Sequence, residues 1–100
     1  MSAGETLPGE FSLLPASPNP FNASTTISFT LPAPGRARVT VYSVDGRHVK
    51  TLADRWFPAG AGRVRWDSAS ASVAPAASGV YLYRIEAGGK TAAGKILLLK

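Results

Sequence analysis

The sequence predicts an all-β fold, a sandwich of six to seven short antiparallel strands, and three observations carry that reading. Eight prolines and ten glycines cut the 100 residues into short pieces. No piece holds the helical period of about 3.6 residues, whereas several alternate polar and apolar side chains with period two. The alternating pieces recur at spacings of roughly 8–15 residues, the rhythm of strands joined by turns in a sandwich. A chain of this length makes one domain, with a single core and little room for an internal active site. No internal repeat is visible, so a solenoid or propeller is not expected.

Taken in order, residues 1–10 (MSAGETLPGE) have neither a basic start nor an apolar run, so they read as a linker remnant rather than a signal peptide. The domain is expected over residues 11–100, as a fragment of a longer parent that carries any export signal upstream. Glu10 to Leu14 reads as a first strand, followed by a turn-rich stretch from Pro15 to Asn22. Thr26 to Leu31 puts Ile27, Phe29 and Leu31 on one face. Arg36 to Ser43 puts Val39 and Val41 inward and Arg36, Arg38, Thr40 and Tyr42 outward. Val44-Asp45-Gly46-Arg47 is a hairpin signal, since Asp-Gly supplies the positive φ of a two-residue turn cheaply. His48 to Ala53 returns, anchored by Val49 and Leu52. Gly62 to Asp67 (GRVRWD) directs Val64 and Trp66 inward and Arg63 and Arg65 outward. Ser68 to Ser78 is small-residue rich and reads as a loop; Gly79 to Ala87 follows, with Tyr81, Tyr83 and Ile85 on one face. Gly88-Gly89 turns the chain into a last strand, Lys90 to Lys100.

The inventory for chemistry is thin. There is no cysteine, one histidine (His48), and six carboxylates: Glu5, Glu10, Asp45, Asp54, Asp67 and Glu86. His48 follows the hairpin turn and alternates with Val49, so it faces solvent with no residue placed to orient it as a base. The scattered acids single out no glycosidase pair, and Asp67, which opens the small-residue loop, reads as a cap for backbone amides rather than a calcium ligand. The glycines match neither a phosphate-binding loop nor a dinucleotide fingerprint. Neither catalysis, a metal nor a cofactor is expected.

The formal charge of +5 directs attention to anionic partners. Arg36 and Arg38 on one strand and Arg63 and Arg65 on another would form a guanidinium stripe if those strands were neighbours. Otherwise they cover solvent faces and discourage edge-to-edge pairing. The aromatics alternate to the opposite face from the arginines, so no stacking platform for nucleic acid is expected. Trp56 either stacks on a sugar ring or folds onto the core edge, whereas Trp66 belongs to the core.

Pro18-Asn19-Pro20-Phe21-Asn22 is the most unusual segment. Its prolines fix φ and hold the preceding residues extended, with Phe21 as the apolar plug of a rigid crossover. Leu14 to Asn22, followed by Thr25-Thr26-Ile27-Ser28-Phe29, resembles the opening of the C-terminal sorting domains of type IX secretion cargo. Val39 to Arg47 is similar to that family's second motif and Ser78 to Ile85 to its third. Lys95 to Lys100 resembles its terminal motif, a lysine followed by an apolar strand. The opening and the Gly79-Val80-Tyr81 strand are also similar to an Ig-like domain of the flagellar hook-capping protein.

The resemblance implies an immunoglobulin-like sandwich of about seven strands, at the C-terminus of a larger secreted enzyme of Bacteroidetes type, such as a glycoside hydrolase. It implies recognition by the outer-membrane translocon, removal by a sortase-like peptidase, and either attachment to anionic lipopolysaccharide at the cell surface or release of the secreted cargo. Pro18, Asn19, Pro20, Phe21, Asn22, Gly46, Gly79, Tyr81, Lys95 and Lys100 are the sorting-motif residues it points to. The alternatives are a carbohydrate-binding module, using Trp56 with Arg36, Arg38, Arg63 and Arg65, and a structural spacer or assembly domain.

Overall fold

The computed structural model describes residues 11–21, 24–67 and 76–99. The expected linker over residues 1–10, most of the small-residue loop, Asn22 and Lys100 lie outside the described residues. Seven strands form: β1 (Ser12–Leu13), β2 (Thr25–Leu31), β3 (Gly35–Ser43), β4 (His48–Phe57), β5 (Gly60–Trp66), β6 (Gly79–Ala87) and β7 (Lys90–Leu98). They make two antiparallel sheets, β1-β2-β5 and β4-β3-β6-β7. This is the Ig-like sandwich, with the fourth strand paired to the third instead of joining the smaller sheet.

Period-two patterning decides which face each strand buries. On β2, Thr25, Ile27, Phe29 and Leu31 are buried and the residues between them half-exposed. On β5, Val64 and Trp66 are buried and Arg63 and Arg65 exposed. Tyr81, Tyr83 and Ile85 of β6 meet these from the other sheet. Two aromatic groups tie the layers together. Trp66 packs tilted on Phe21 at 5.3 Å and edge-on to Tyr81 at 5.2 Å, while Phe29 meets Phe57 edge-on at 5.1 Å. Each such side chain, fully buried, contributes about 1.5–3 kcal/mol in apolar transfer.

Three local features depart from the expectations. First, β4 runs on to Phe57 instead of ending at Ala53. Its register against β3 slips twice, leaving Val49 and Leu52 as the unpaired extra residues of β-bulges. Each bulge resets the alternation, so the strand no longer reads as period two. Second, the hairpin loop holds three residues, not two. Ser43 N–H donates to Arg47 O at 2.9 Å and Gly46 N–H to Ser43 O at 3.0 Å, which places the positive φ of 89° on Gly46. That is a type I turn closed by a bulge glycine. Third, among the described residues of the expected first strand β1 keeps Ser12 and Leu13, because beyond Leu14 the chain stays on β2 through the Ser17–Thr26 bridge alone before it crosses the side of the sandwich.

Candidate sorting interface

The crossing segment begins on the three-stranded sheet. Leu14 N–H donates to Ser28 O at 3.0 Å, and Ser17 and Thr26 exchange backbone bonds of 3.1 and 2.9 Å. The buried Thr25 hydroxyl then donates to Pro18 O at 2.7 Å. Beyond that point the segment belongs to the other sheet. Phe21 N–H donates to Leu97 O and Leu99 N–H to Phe21 O, both at 2.9 Å, making a short parallel bridge to β7.

Between these anchors, Asn19 stands in for a strand residue. Its Oδ1 accepts from Leu97 N–H at 2.9 Å and its Nδ2 donates to Lys95 O at 3.3 Å. Pro18 and Pro20 lack N–H donors and cannot extend a backbone ladder, so the side-chain amide supplies the missing donor and acceptor. The edge of β7 away from β6 is thereby closed from Lys95 to Leu99. Phe21, 2% exposed, fills the sandwich beneath on Trp66. The first and last motifs therefore form one joint.

Tyr83 braces the same joint from inside. Its ring lies over Gly94, where an added Cβ would come within 2.5 Å of Cζ and Oη. Burial pushes the phenol's pKa upward, while a hydrogen bond with the Ala16 backbone works against that rise. Two residues away on the same face, Tyr81 is buried and its hydroxyl donates to Ala77 O at 2.5 Å. This has the geometry of the tyrosine corner of Ig-like folds.

The other sequence-selected residues scatter around this joint. Gly79 opens β6 opposite Leu98 with φ of 149°. Lys95 is exposed opposite Leu82, and Gly46 lies in the β3–β4 turn. The four arginines do not form one stripe, because β3 and β5 lie in different sheets and their outer faces point in opposite directions. Arg36 pairs with Asp54 at 2.8 Å and Arg38 with Glu86 at 2.9 Å. Glu86 also takes Arg84 at 3.3 Å, so the outer face of the four-stranded sheet is a mixed-charge network. The hydrogen bond from Arg38 holds the Glu86 carboxyl below its ordinary pKa, and that pairing raises the pKa of Arg38. Trp56 stands beside Arg36 on this face, 66% exposed, and Trp66 is fully buried. His48 is exposed, with Nε2 2.9 Å from Thr51 Oγ1.

Sequence reasoning saw the rigidity of the Pro-Asn-Pro-Phe segment but not its partner. An asparagine held between two prolines was the available signal, since that setting leaves its amide as the main source of hydrogen bonds. The Tyr81 corner was missed because its acceptor, the Ala77 carbonyl, is a backbone group that carries no residue-type signature.

The chain is thus an Ig-like sandwich whose proline-rich crossing segment is hydrogen-bonded to β7. The chain belongs to the family of secretion system C-terminal sorting domains, whose model matches residues 16–99. It is a type IX sorting signal recognised by that secretion machinery, and its destination is the cell surface or the medium.

No curated protein matches the chain. Among solved structures it is similar to part of dimeric latent PorU from Porphyromonas gingivalis, with TM-score 0.74, 22% identity, and coverage of 89% of this chain and 9% of that one. It is also similar to part of PorZ, an essential surface component of the type IX secretion system of the same organism. There the TM-score is 0.61 and the identity 20%, over 88% of this chain and 11% of that one. A third likeness is to the DNA glycosylase AlkC of Pseudomonas fluorescens, with TM-score 0.50, 17% identity, and coverage of 92% and 31%. These likenesses show the fold, and the chain spans about a tenth of the length of the PorU and PorZ chains.

Proposed function

We propose that this domain is the non-catalytic C-terminal address of a larger secreted enzyme, read by the outer-membrane translocon as a folded unit and used for attachment at the cell surface. The observation that carries it is the joint between Asn19-Pro20-Phe21 and Lys95 to Leu99, which unites the family's first and last motifs on one side of the sandwich. The recognition surface is then Pro18, Asn19 and Pro20 with Lys95, seated on the buried plug Phe21, while Gly46, Gly79 and Tyr81 hold the scaffold. A sortase-like peptidase removes the domain by cutting in the linker before it and passes the cargo to anionic lipopolysaccharide.

Fusion of residues 1–100 to a periplasmic reporter in a type IX-competent host tests the reading. The reporter is expected at the surface or in the medium, and removal of Lys95 to Lys100 is expected to hold it in the periplasm. Retention of the intact fusion overturns the proposal. A glycan-binding role rests on one observation, the exposed Trp56. It predicts retardation in polysaccharide gels that Trp56→Ala abolishes.

A further inference from the structure

We propose that the outer face of the three-stranded sheet is a docking surface for an acidic polysaccharide, with Arg63 and Arg65 as its anion contacts. The arginines are unequally partnered. Arg36 pairs with Asp54, Arg38 and Arg84 with Glu86, and Arg47 with Asp45, while Arg55 lies over the Phe57 ring at 4.0 Å. Arg63 and Arg65 have no such partner among the described residues. The unpaired guanidiniums thus share one strand and one face, alternating with buried Val64 and Trp66. Two residues of extended chain set their Cα atoms roughly 7 Å apart.

Their neighbours are hydroxyls. Arg65 stands opposite Thr26, Arg63 opposite Ser28, and Thr30 continues the row toward Ser12. No residue of β1, β2 or β5 is a carboxylate. At the open side of the sandwich, Lys50 and Leu52 join Arg65 and Asp67 around a small groove of about 180 Å³, so a further cation and one carboxylate lie at the end of the row, and the anion contacts of the face are Arg63 and Arg65.

Guanidiniums suit carboxylate or phosphate groups by charge-assisted, bidentate hydrogen bonds. Threonine and serine hydroxyls both donate and accept, as sugar hydroxyls do. Among the described residues the face presents no exposed aromatic ring for base stacking, since Trp56 belongs to the opposite sheet. An extended, anionic, hydroxyl-rich chain is the partner that matches all of this. The inference stands apart from the sorting reading, because binding is measured on the isolated chain with no secretion machinery present.

The test is affinity electrophoresis of the whole chain through gels containing polygalacturonate or neutral dextran. Two variants carry the same change in charge: R63Q/R65Q on this face and R36Q/R38Q on the other. The expected result is retardation by polygalacturonate alone, weakened about tenfold or more in R63Q/R65Q and less than about twofold in R36Q/R38Q. R63K/R65K keeps the charge without the bidentate fork and is expected to fall between. Matched thermal melts separate lost binding from lost fold. No retardation of the parent chain overturns the proposal, and so does equal weakening in both glutamine variants, which would mean diffuse charge. Tighter binding to anionic phospholipid vesicles or to single-stranded DNA than to polygalacturonate assigns the face to another partner and overturns it as well.

Discussion

The side chain of Asn19 and the backbone of Leu97, 78 positions apart in sequence, are joined by a 2.9 Å hydrogen bond from the Leu97 N–H to Oδ1. The same amide donates to the Lys95 carbonyl, so one side chain occupies the place of a neighbouring strand. Edge strands left open invite pairing with other chains. The Asn19 amide and the Phe21 backbone close this one from Lys95 to Leu99.

Asn19→Ala is therefore expected to cost about 1–2 kcal/mol of stability, since each bond contributes about 0.5–1.5 kcal/mol and the edge groups regain water in part. Amide exchange at Leu97 should quicken more than exchange in β2. Asn19→Asp keeps the acceptor and loses the donor to Lys95, so it should fall between the parent and the alanine variant. Unchanged protection at Leu97 in Asn19→Ala would mean that the clamp contributes nothing.

Gly94 tests the packing behind that edge. A methyl group there would sit 2.5 Å from the Tyr83 ring, which is 3% exposed and has little room to move. Gly94→Ala should destabilise the domain by about 1–3 kcal/mol through overpacking. Combining it with Tyr83→Leu removes the clash, so the two changes should be clearly less than additive in thermal or urea unfolding.

Tyr81→Phe removes only a hydroxyl. It leaves the ring on Trp66 and deprives the Ala77 carbonyl of its donor. The expected loss is about 1 kcal/mol, with a lowered melting temperature and unchanged Trp66 fluorescence in the folded state. An unchanged melting temperature would show that water replaces the corner bond at no cost.

How far the fold was legible follows from which signals are local. Alternation in Thr25 to Leu31 and Gly79 to Ala87 survives into the structure because each strand buries one face against a single core. Alternation in β4 does not, since the bulges at Val49 and Leu52 break the period while the backbone keeps pairing. The candidate site divides the same way. Phe21 was readable as a plug because an aromatic in a proline-rich turn needs a place to bury. Its hydrogen-bonding partner was not, because pairing between residues almost eighty apart leaves no mark on either segment alone. The arginine stripe depended on strand order, and strand order is a property of the assembled sheets.

Acid should weaken the outer face of the four-stranded sheet in a defined way. Glu86 accepts from Arg38 and lies near Arg84, which holds its carboxyl below the ordinary value of 4.5. A carboxylate with a depressed pKa in the folded state binds protons more readily in the unfolded chain. Its stabilising effect is therefore fully present above the ordinary value and is lost as pH falls through the folded-state value. Glu86→Gln should leave less of the stability dependent on pH below about 4.5, and should matter little to that slope near neutrality. Because the pair is solvent-exposed, added salt should shrink the difference between Glu86→Gln and the parent. Urea midpoints measured across the acid range at low and high ionic strength check both expectations. An acid limb of equal steepness in parent and variant would place the titration elsewhere, with Asp45 the next candidate, since its bond from Ser43 also holds it below the ordinary carboxylate range.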